Sequence, residues 1–171
     1  MTQALAEGER VRLRRIERGD LEGASGFQYT LSILEPLTQI ARLTDLFDAT
    51  GFWTEDAGAA AITERASGRL VGTMQFYRAG ACIHGYELGY IVHSEADYGK
   101  GYASEALRLL GDYLLAERPG CHRLQLIIET WNDASARLAQ ACGYEREGVL
   151  RKAGYSNAGD PPDCFVYSRV R

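Results

Sequence analysis

The chain has 171 residues, of which 46% are hydrophobic and 25% charged, and its formal net charge at pH 7 is −4. This length predicts one domain, 1–171, that buries about two thirds of its unfolded surface around a single core. A negative net charge gives the chain no general attraction for nucleic acid or for an anionic membrane. The sequence shows neither an apolar run of membrane-spanning length nor the pattern of a signal peptide. We therefore expect a cytoplasmic domain without nucleic-acid or membrane partners.

The cysteines and histidines predict no metal centre. The chain has four cysteines and three histidines. The cysteines form no CxxC pair, and the histidines lack the spacing of zinc ligands. We expect reduced, structural thiols and no bound metal.

The first third of the chain predicts one strand and then a poorly patterned segment. Residues 10–16 alternate arginine with apolar side chains, as a half-buried strand does, and we expect the arginine face to be solvated rather than to bind phosphate. The segment 20–57 is predicted to be helical or irregular. It contains Phe52 and Trp53, which we expect to be exposed, and it is a candidate for one wall of a substrate cleft.

Three further strands are predicted in the middle of the chain. Residues 60–64 and 70–77 read as a hairpin with a short turn between them. In the strand 86–92, side-chain alternation puts Glu87 and Gly89 on the face opposite to Leu88.

A glycine-rich turn precedes the clearest helical signal. Residues 98–103 read YGKGYA, and apolar residues then recur at helical spacing as far as Pro119. A helix begins with unpaired amide groups and the positive end of its dipole, so this turn is a candidate anion site. A Walker A loop has four residues between its glycines and then Lys-Ser/Thr, which is not the pattern here. The turn therefore predicts a site for a phosphate group. It does not predict a Walker-type nucleoside triphosphatase.

The last third of the chain returns to strand and helix signals. Residues 124–130 form a nearly continuous apolar run, which is typical of a central strand. A second helix is predicted over 132–142 with Asn132 as its N-cap, and two final strands near 144–152 and 165–170.

Four stretches carry a family resemblance: ELGYIV at 87–92, YGKGYASEAL at 98–107, WNDAS at 131–135 and ACGYEREGVLRK at 141–152. With the order of the predicted elements, they resemble a GNAT acyltransferase, specifically of the RimJ/RimL-like branch, over most of the chain. The resemblance implies an α/β fold in which helices flank a mixed, mostly antiparallel central sheet that splays at an acyl-CoA site. Gly89 is expected to form a bulge at that splay.

The resemblance also implies how acetyl-CoA, the acyl donor, binds. The pyrophosphate would lie against the amides of the glycine turn, and the pantetheine arm would run beside the strand 86–92 towards the second helix. Tyr98 stands where the wider family has Gln or Arg, and an aromatic residue there is common in the RimJ/RimL-like branch. The expected donor-binding residues are Ile91, Val92, Tyr98, Gly99, Lys100, Gly101, Tyr102, Ala103, Asn132 and Ser135.

The same resemblance implies the chemistry, in which an amine attacks the thioester directly. Glu87 matches the strand glutamate that serves as the base in many GNAT enzymes. Many members carry a tyrosine acid where this chain has Ala139, so Ser135 or water is expected to return the proton. Gly154 replaces a second catalytic glutamate of some RimL-type enzymes, and the role of Glu147 stays open.

Three functions remain open at this level. The first is an N-acetyltransferase whose acceptor is a protein N-terminus or a small amine, since aminoglycoside-like antibiotics, polyamines and small amino acids all enter the clefts of related enzymes. The second is a non-catalytic acyl-CoA-binding module, and the third is an acyltransferase with another acyl donor or an oxygen acceptor. Relatives often dimerise, so a homodimer is also an option.

Overall fold

The structure is a computed structural model that describes residues 4–25, 39–156 and 159–171. Every strand and helix predicted within these ranges is present. The strand β1 was not predicted, because its sequence ALAE does not alternate clearly between apolar and polar residues. The elements are β1 Ala4–Glu7, β2 Val11–Arg15, α1 Asp20–Ala24, α2 Ile40–Thr50, β3 Ala57–Glu64, β4 Leu70–Arg78, β5 Gly85–Val92, α3 Tyr102–Glu117, β6 Arg123–Glu129, α4 Asp133–Ala141, β7 Glu145–Leu150 and β8 Cys164–Val170.

The eight strands form one sheet in the order β1-β2-β3-β4-β5-β6-β8-β7. Neighbouring strands run antiparallel except for β5 and β6, which are parallel and are connected through α3. A helical crossover is the usual connection between parallel neighbours. The predicted GNAT fold, with a mixed and mostly antiparallel sheet flanked by helices, is confirmed.

The sheet opens between β5 and β6. These strands pair only over residues 85–87 and 123–125, although β5 continues to Val92 and β6 to Glu129. The predicted bulge at Gly89 is wrong, because β5 keeps an unbroken register with β4 along this stretch. The opening arises because β6 diverges from β5, and an extra residue in β5 is not needed.

Helices cover both faces of the sheet. On one face, Leu107 and Leu110 of α3 are fully buried in a core that also contains Leu124 of β6. On the other face, Leu21 of α1 and Leu43 of α2 pack in a second cluster with small side chains of β3. In the described part of the chain, no helix is long and apolar enough to cross a membrane.

The aromatic pair after α2 differs from its prediction. Phe52 was expected to be exposed but is buried in the second cluster, where its ring centroid lies 6.1 Å from that of Phe47. Trp53 is partly buried, and its ring makes an edge contact with Phe76 at 5.1 Å between centroids. Gly51 causes this packing, because its left-handed backbone ends α2 and turns the chain back onto the helix. The segment that supplied the predicted cleft wall, 20–57, includes residues 26–38, which lie outside the described residues.

Candidate active site

A cleft of about 810 Å³ lies where β5 and β6 separate, between the start of α3 and one side of α4. Nine of the ten predicted donor-binding residues line it, and Lys100 belongs to the same turn without lining the cleft. Segments distant in sequence therefore converge as predicted. The nine are Ile91, Val92, Tyr98, Gly99, Gly101, Tyr102, Ala103, Asn132 and Ser135.

The glycine turn has the backbone that an anion site needs. Gly99 and Gly101 have φ angles of 74° and 82°, in the left-handed region where side chains are disfavoured. Gly101 is also the N-cap residue of α3 and has no side chain to cap the first amides. These amides and the positive end of the helix dipole therefore face the cleft region without a capping side chain.

A buried carboxylate braces this turn from behind. Asp97 is 4% exposed and accepts two hydrogen bonds from the Arg69 guanidinium, at 2.8 and 2.9 Å. It also accepts one from the Lys100 ammonium at 2.9 Å. These cations hold the pKa of Asp97 well below its usual range. The Lys100 side chain thus holds the turn against Asp97, and the predicted contact of Lys100 with a phosphate concerns only its backbone amide.

A second carboxylate joins the first strands to the start of α3. Glu105 accepts hydrogen bonds from the backbone amides of Glu9, Arg10 and Val11, at 2.9, 2.8 and 2.7 Å. The half-exposed side chain of Arg10 consequently lies beside Gly101, with its Nε atom 3.7 Å from where a Cβ atom would stand on that glycine. A cation is thereby placed next to the glycine turn.

Asn132 and Ser135 occupy the opposite wall of the cleft. The Asn132 side-chain oxygen accepts a hydrogen bond from the Ser135 amide at 3.1 Å, which confirms the predicted N-cap. Trp131, one residue earlier, also lines the cleft and is 71% exposed. Tyr98 of the glycine turn is 61% exposed, so an aromatic ring from each wall stands at the rim of the cleft.

Glu87 lies at the last paired position before the sheet opens. It is opposite Tyr77 of β4 and Gln125 of β6, so the three side chains share the face covered by α1 and α2. The Tyr77 hydroxyl donates to one carboxylate oxygen of Glu87, and the Gln125 amide donates to the other at 2.9 Å. Burial, followed by the bond to Glu87, raises the pKa of Tyr77 and keeps its proton in place as a donor.

Glu147 is on the same face, but its negative charge is paired with the Arg123 guanidinium. Its carboxylate accepts from both terminal nitrogens of Arg123, at 2.7 and 2.5 Å, and from the Ser168 hydroxyl at 2.6 Å. The Arg123 bonds, with help from Ser168, lower the pKa of Glu147 to about 2. Arg123 also donates to Gln125 at 3.3 Å, so one polar network connects Glu147 to Glu87.

Ala139 and Gly154 are the two positions where the sequence departs from the pattern that the resemblance implies. Ala139 is fully buried in the core and does not line the cleft. At Gly154, a Cβ atom would lie 2.5 Å from a side-chain carbon of Pro162, so the close approach of these two chain segments requires glycine.

Tyr90 is a residue of the site that was not predicted from the sequence. Tyr90 lines the cleft from β5, and its buried hydroxyl has no hydrogen-bond partner among the described residues. Burial raises the pKa of Tyr90. Among the described residues, no group of three or more His, Cys, Asp or Glu side chains could hold a metal ion.

Comparisons with known proteins agree with the geometry. A family model described as an acetyltransferase (GNAT) domain matches residues 10–145. The uncharacterized N-acetyltransferase YoaA of Bacillus subtilis (strain 168) is 30% identical over 98% of this chain and 97% of its own. The uncharacterized N-acetyltransferase p20 of Bacillus licheniformis is 25% identical over 95% of this chain and 94% of its own.

Solved structures share the fold over nearly the whole chain. A GNAT-family acetyltransferase from Bacillus anthracis superposes with a TM-score of 0.76 and 22% identity, covering 96% of both chains. A dodecameric spermidine N-acetyltransferase from Vibrio cholerae superposes with a TM-score of 0.78 and 21% identity, covering 95% of both chains. At these identities the structures establish the common fold alone.

Proposed function

Because the chain belongs to the GNAT acetyltransferase family, we propose that it transfers an acetyl group from acetyl-CoA to a primary amine. The main supporting observation is the opening between β5 and β6, which begins directly after Glu87. On one face the opening leads into the cleft with the glycine turn, and on the other it adjoins the Glu87 carboxylate. Donor and amine can therefore approach from opposite faces of the sheet.

The donor is proposed to bind along the cleft from the glycine turn to the opening. The turn, from Tyr98 to Ala103, would bind the pyrophosphate through backbone amides, and Arg10 beside it would add a positive charge. The pantetheine arm would follow Ile91 and Val92, whose backbone is not paired with β6. This arrangement needs no metal.

Glu87 is proposed to accept the proton of the attacking amine. A primary alkylamine has a pKa of about 10, so it arrives mostly protonated at neutral pH and must lose a proton before or during attack. The bonds from Tyr77 and Gln125 fix both carboxylate oxygens, and neither donor carries a charge that would neutralise Glu87. Ser135, on the cleft side, is proposed to return a proton to the thiolate of CoA.

The acceptor is proposed to be a cationic amine, for which a polyamine is the first candidate. The net charge of −4 favours a cationic partner, and several similar structures are described as spermidine N-acetyltransferases. A protein N-terminus is the second candidate, from the resemblance to the RimJ/RimL-like branch in the NxxS stretch at 132–135 and in Tyr98. Assembly into a homodimer or a larger oligomer belongs to the same proposal.

A thiol-release assay separates this function from its alternatives. Acetyl-CoA, succinyl-CoA and longer acyl-CoA donors are each incubated with spermidine, with a peptide bearing a free N-terminus and with an alcohol of matched size. We expect release of CoA from acetyl-CoA that depends on an amine. Tight binding of acetyl-CoA without release would instead support a binding module, and faster release from another donor or with the alcohol would support a different acyltransferase.

A further inference from the structure

Gln125 lies between a cation and the proposed base. It is paired with Glu87 at the last register position before the sheet opens. Arg123 precedes it by two residues on the same face of β6, about 7 Å along the strand. The two strands approach closely here, since a Cβ atom on Gly85 would lie 2.0 Å from the Arg123 carbonyl oxygen. A guanidinium group and the base are therefore close neighbours on one face of the sheet.

The hydrogen bonds from Arg123 to Glu87 can run in one direction only. Arginine carries donors and no acceptor, so Arg123 Nε must donate to the amide oxygen of Gln125, at 3.3 Å. The amide nitrogen of Gln125 then points to Glu87 and donates to Oε2 at 2.9 Å. An ionised carboxylate only accepts hydrogen bonds. The orientation of the Gln125 amide is therefore fixed from both ends.

The Arg123 charge stays at the far end of this route. Both terminal nitrogens of Arg123 are bonded to Glu147, at 2.7 and 2.5 Å, so Nε is the nitrogen that serves Gln125. A neutral amide consequently separates the guanidinium from Glu87. The other oxygen of Glu87 accepts from the Tyr77 hydroxyl. One lone pair on each oxygen of Glu87 is thus occupied, and the others can take a proton.

The face of the sheet around the base carries other ionisable groups. Among the described residues, the titratable and charged side chains around Glu87 are Tyr77, Arg123, Glu129, Glu147 and Cys164. Burial raises the pKa of Tyr77 and of Cys164. Pairing with a guanidinium lowers the pKa of Glu147 to about 2. Glu129 is therefore the other group to test when activity is followed near neutral pH.

We propose that Gln125 and Tyr77 are positioning residues that hold Glu87 as an ionised proton acceptor, with Gln125 as the neutral spacer between Glu87 and the Arg123 cation. This inference rests on the proposed acetyl transfer. As the N–C bond forms, the amine proton moves to a free lone pair of Glu87, which later passes it to water. Both hydrogen bonds are made to the charged form of the base, so the loss of either bond favours the protonated form.

The first test follows kcat from pH 5 to 9 in the thiol-release assay with acetyl-CoA and an amine. Tyr77→Phe removes only the hydroxyl, and Gln125→Met removes the amide and keeps the length of the side chain. Each should move the acidic limb of kcat upward by about one pH unit, the typical effect of one hydrogen bond to a charged group. The KM for acetyl-CoA should change little. A merely structural role would lower kcat alike at every pH.

The second test replaces the spacer by a charge. Gln125→Glu keeps the shape of the side chain and places a carboxylate beside Glu87, and two carboxylates in contact do not both ionise readily. The acidic limb should therefore lie at higher pH in Gln125→Glu than in Gln125→Met. Two control variants should keep the wild-type limb: Tyr113→Phe, whose ring packs against Trp53 on the other face of the sheet, and Glu129→Gln, which leaves both bonds to Glu87 in place.

The outcomes separate this inference from the proposed function. An unchanged acidic limb in Tyr77→Phe and Gln125→Met, in proteins that unfold in urea as the wild-type protein does, would overturn the positioning role and leave acetyl transfer intact. An equal movement of the limb in Glu129→Gln would assign the titration to another group and would also overturn it. Absence of amine-dependent release by the wild-type protein would overturn acetyl transfer and the positioning role together.

Discussion

The Arg123 guanidinium holds both carboxylate oxygens of Glu147, on the same face of the sheet as Glu87. Glu87 accepts from a tyrosine hydroxyl and a glutamine amide, and the described residues place no cation in an ion pair with it. A carboxylate paired with a guanidinium is a poor proton acceptor, because the pairing favours its ionised form. Of the two glutamates, Glu87 is therefore the better candidate for the base.

Replacement of this base gives the first prediction. Glu87→Gln keeps the size of the side chain and removes its basicity, so kcat should fall by roughly 10²-fold near neutral pH while acetyl-CoA affinity stays almost unchanged. Raising the pH should partly restore kcat, because more of the amine then arrives unprotonated. Steady-state kinetics from pH 6 to 10, with calorimetry for donor binding, measure both effects.

Glu147→Gln is the matched control for this experiment. It makes the same chemical change on the same face, and we expect its effect on kcat to be at least about tenfold smaller. A larger loss of kcat in Glu147→Gln than in Glu87→Gln would reverse the assignment of the base.

The Arg123–Glu147 pair predicts a specific acid sensitivity. The folded-state pKa of Glu147 is about 2, below the value of about 4.3 for an unfolded glutamate. A lowered pKa stabilises the fold above the unfolded value, and this contribution is lost as the pH falls from about 4.3 to about 2. Because Glu147 is 44% exposed, solvent screening limits the contribution to on the order of 1 kcal/mol or less.

Urea unfolding at pH 6 and at pH 2.5 measures this contribution. Glu147→Gln should be less stable than the wild-type protein at pH 6, and the difference in the free energy of unfolding should shrink at pH 2.5. A difference that is equal at both pH values would show that the pair does not stabilise the fold through its charge.

The glycine turn gives a prediction on donor binding. Gly101→Ala places a Cβ atom on a left-handed residue next to the proposed pyrophosphate position, and it should weaken acetyl-CoA binding by at least about tenfold. Gly51→Ala is the control, since Gly51 is also left-handed, with φ 61°, and caps α2 away from the cleft. Calorimetry measures the affinity of both folded variants for acetyl-CoA. If Gly101→Ala binds acetyl-CoA as tightly as Gly51→Ala does, the turn does not bind the pyrophosphate.

Trp131 gives an optical prediction. The chain has two tryptophans. Trp131 is 71% exposed on the rim of the cleft, whereas Trp53 packs against Phe76. Binding of acetyl-CoA should cover Trp131 and change its fluorescence. Trp53→Phe should keep this change and Trp131→Phe should lose it, and the reverse pattern would place the donor elsewhere.

The part of the site that is local in sequence could be predicted from sequence. The glycine turn and the N-cap of α4 each depend on a few adjacent residues, and both lie on the cleft. The partners of Glu87 could not be predicted in this way. Tyr77 is 10 positions away and Gln125 is 38 positions away, so they meet Glu87 only through the register of three strands.

The errors of sequence interpretation have the same physical origin. Phe52 follows a helix-ending glycine and was expected to be exposed, but tertiary packing against α2 buries it. Gly89 was expected to form a bulge, but the sheet opens through the path of β6, a strand more than thirty residues later.

The central claim is tested most directly by the products of one reaction. Purified protein is incubated with acetyl-CoA and spermidine, and free CoA and acetylated amine are quantified together by mass spectrometry, with Glu87→Gln in parallel. We predict equal amounts of the two products from the wild-type protein and roughly 10²-fold slower formation of both by Glu87→Gln. Formation of free CoA without an acetylated amine, or an equal rate in Glu87→Gln, would contradict transfer to an amine with Glu87 as the base.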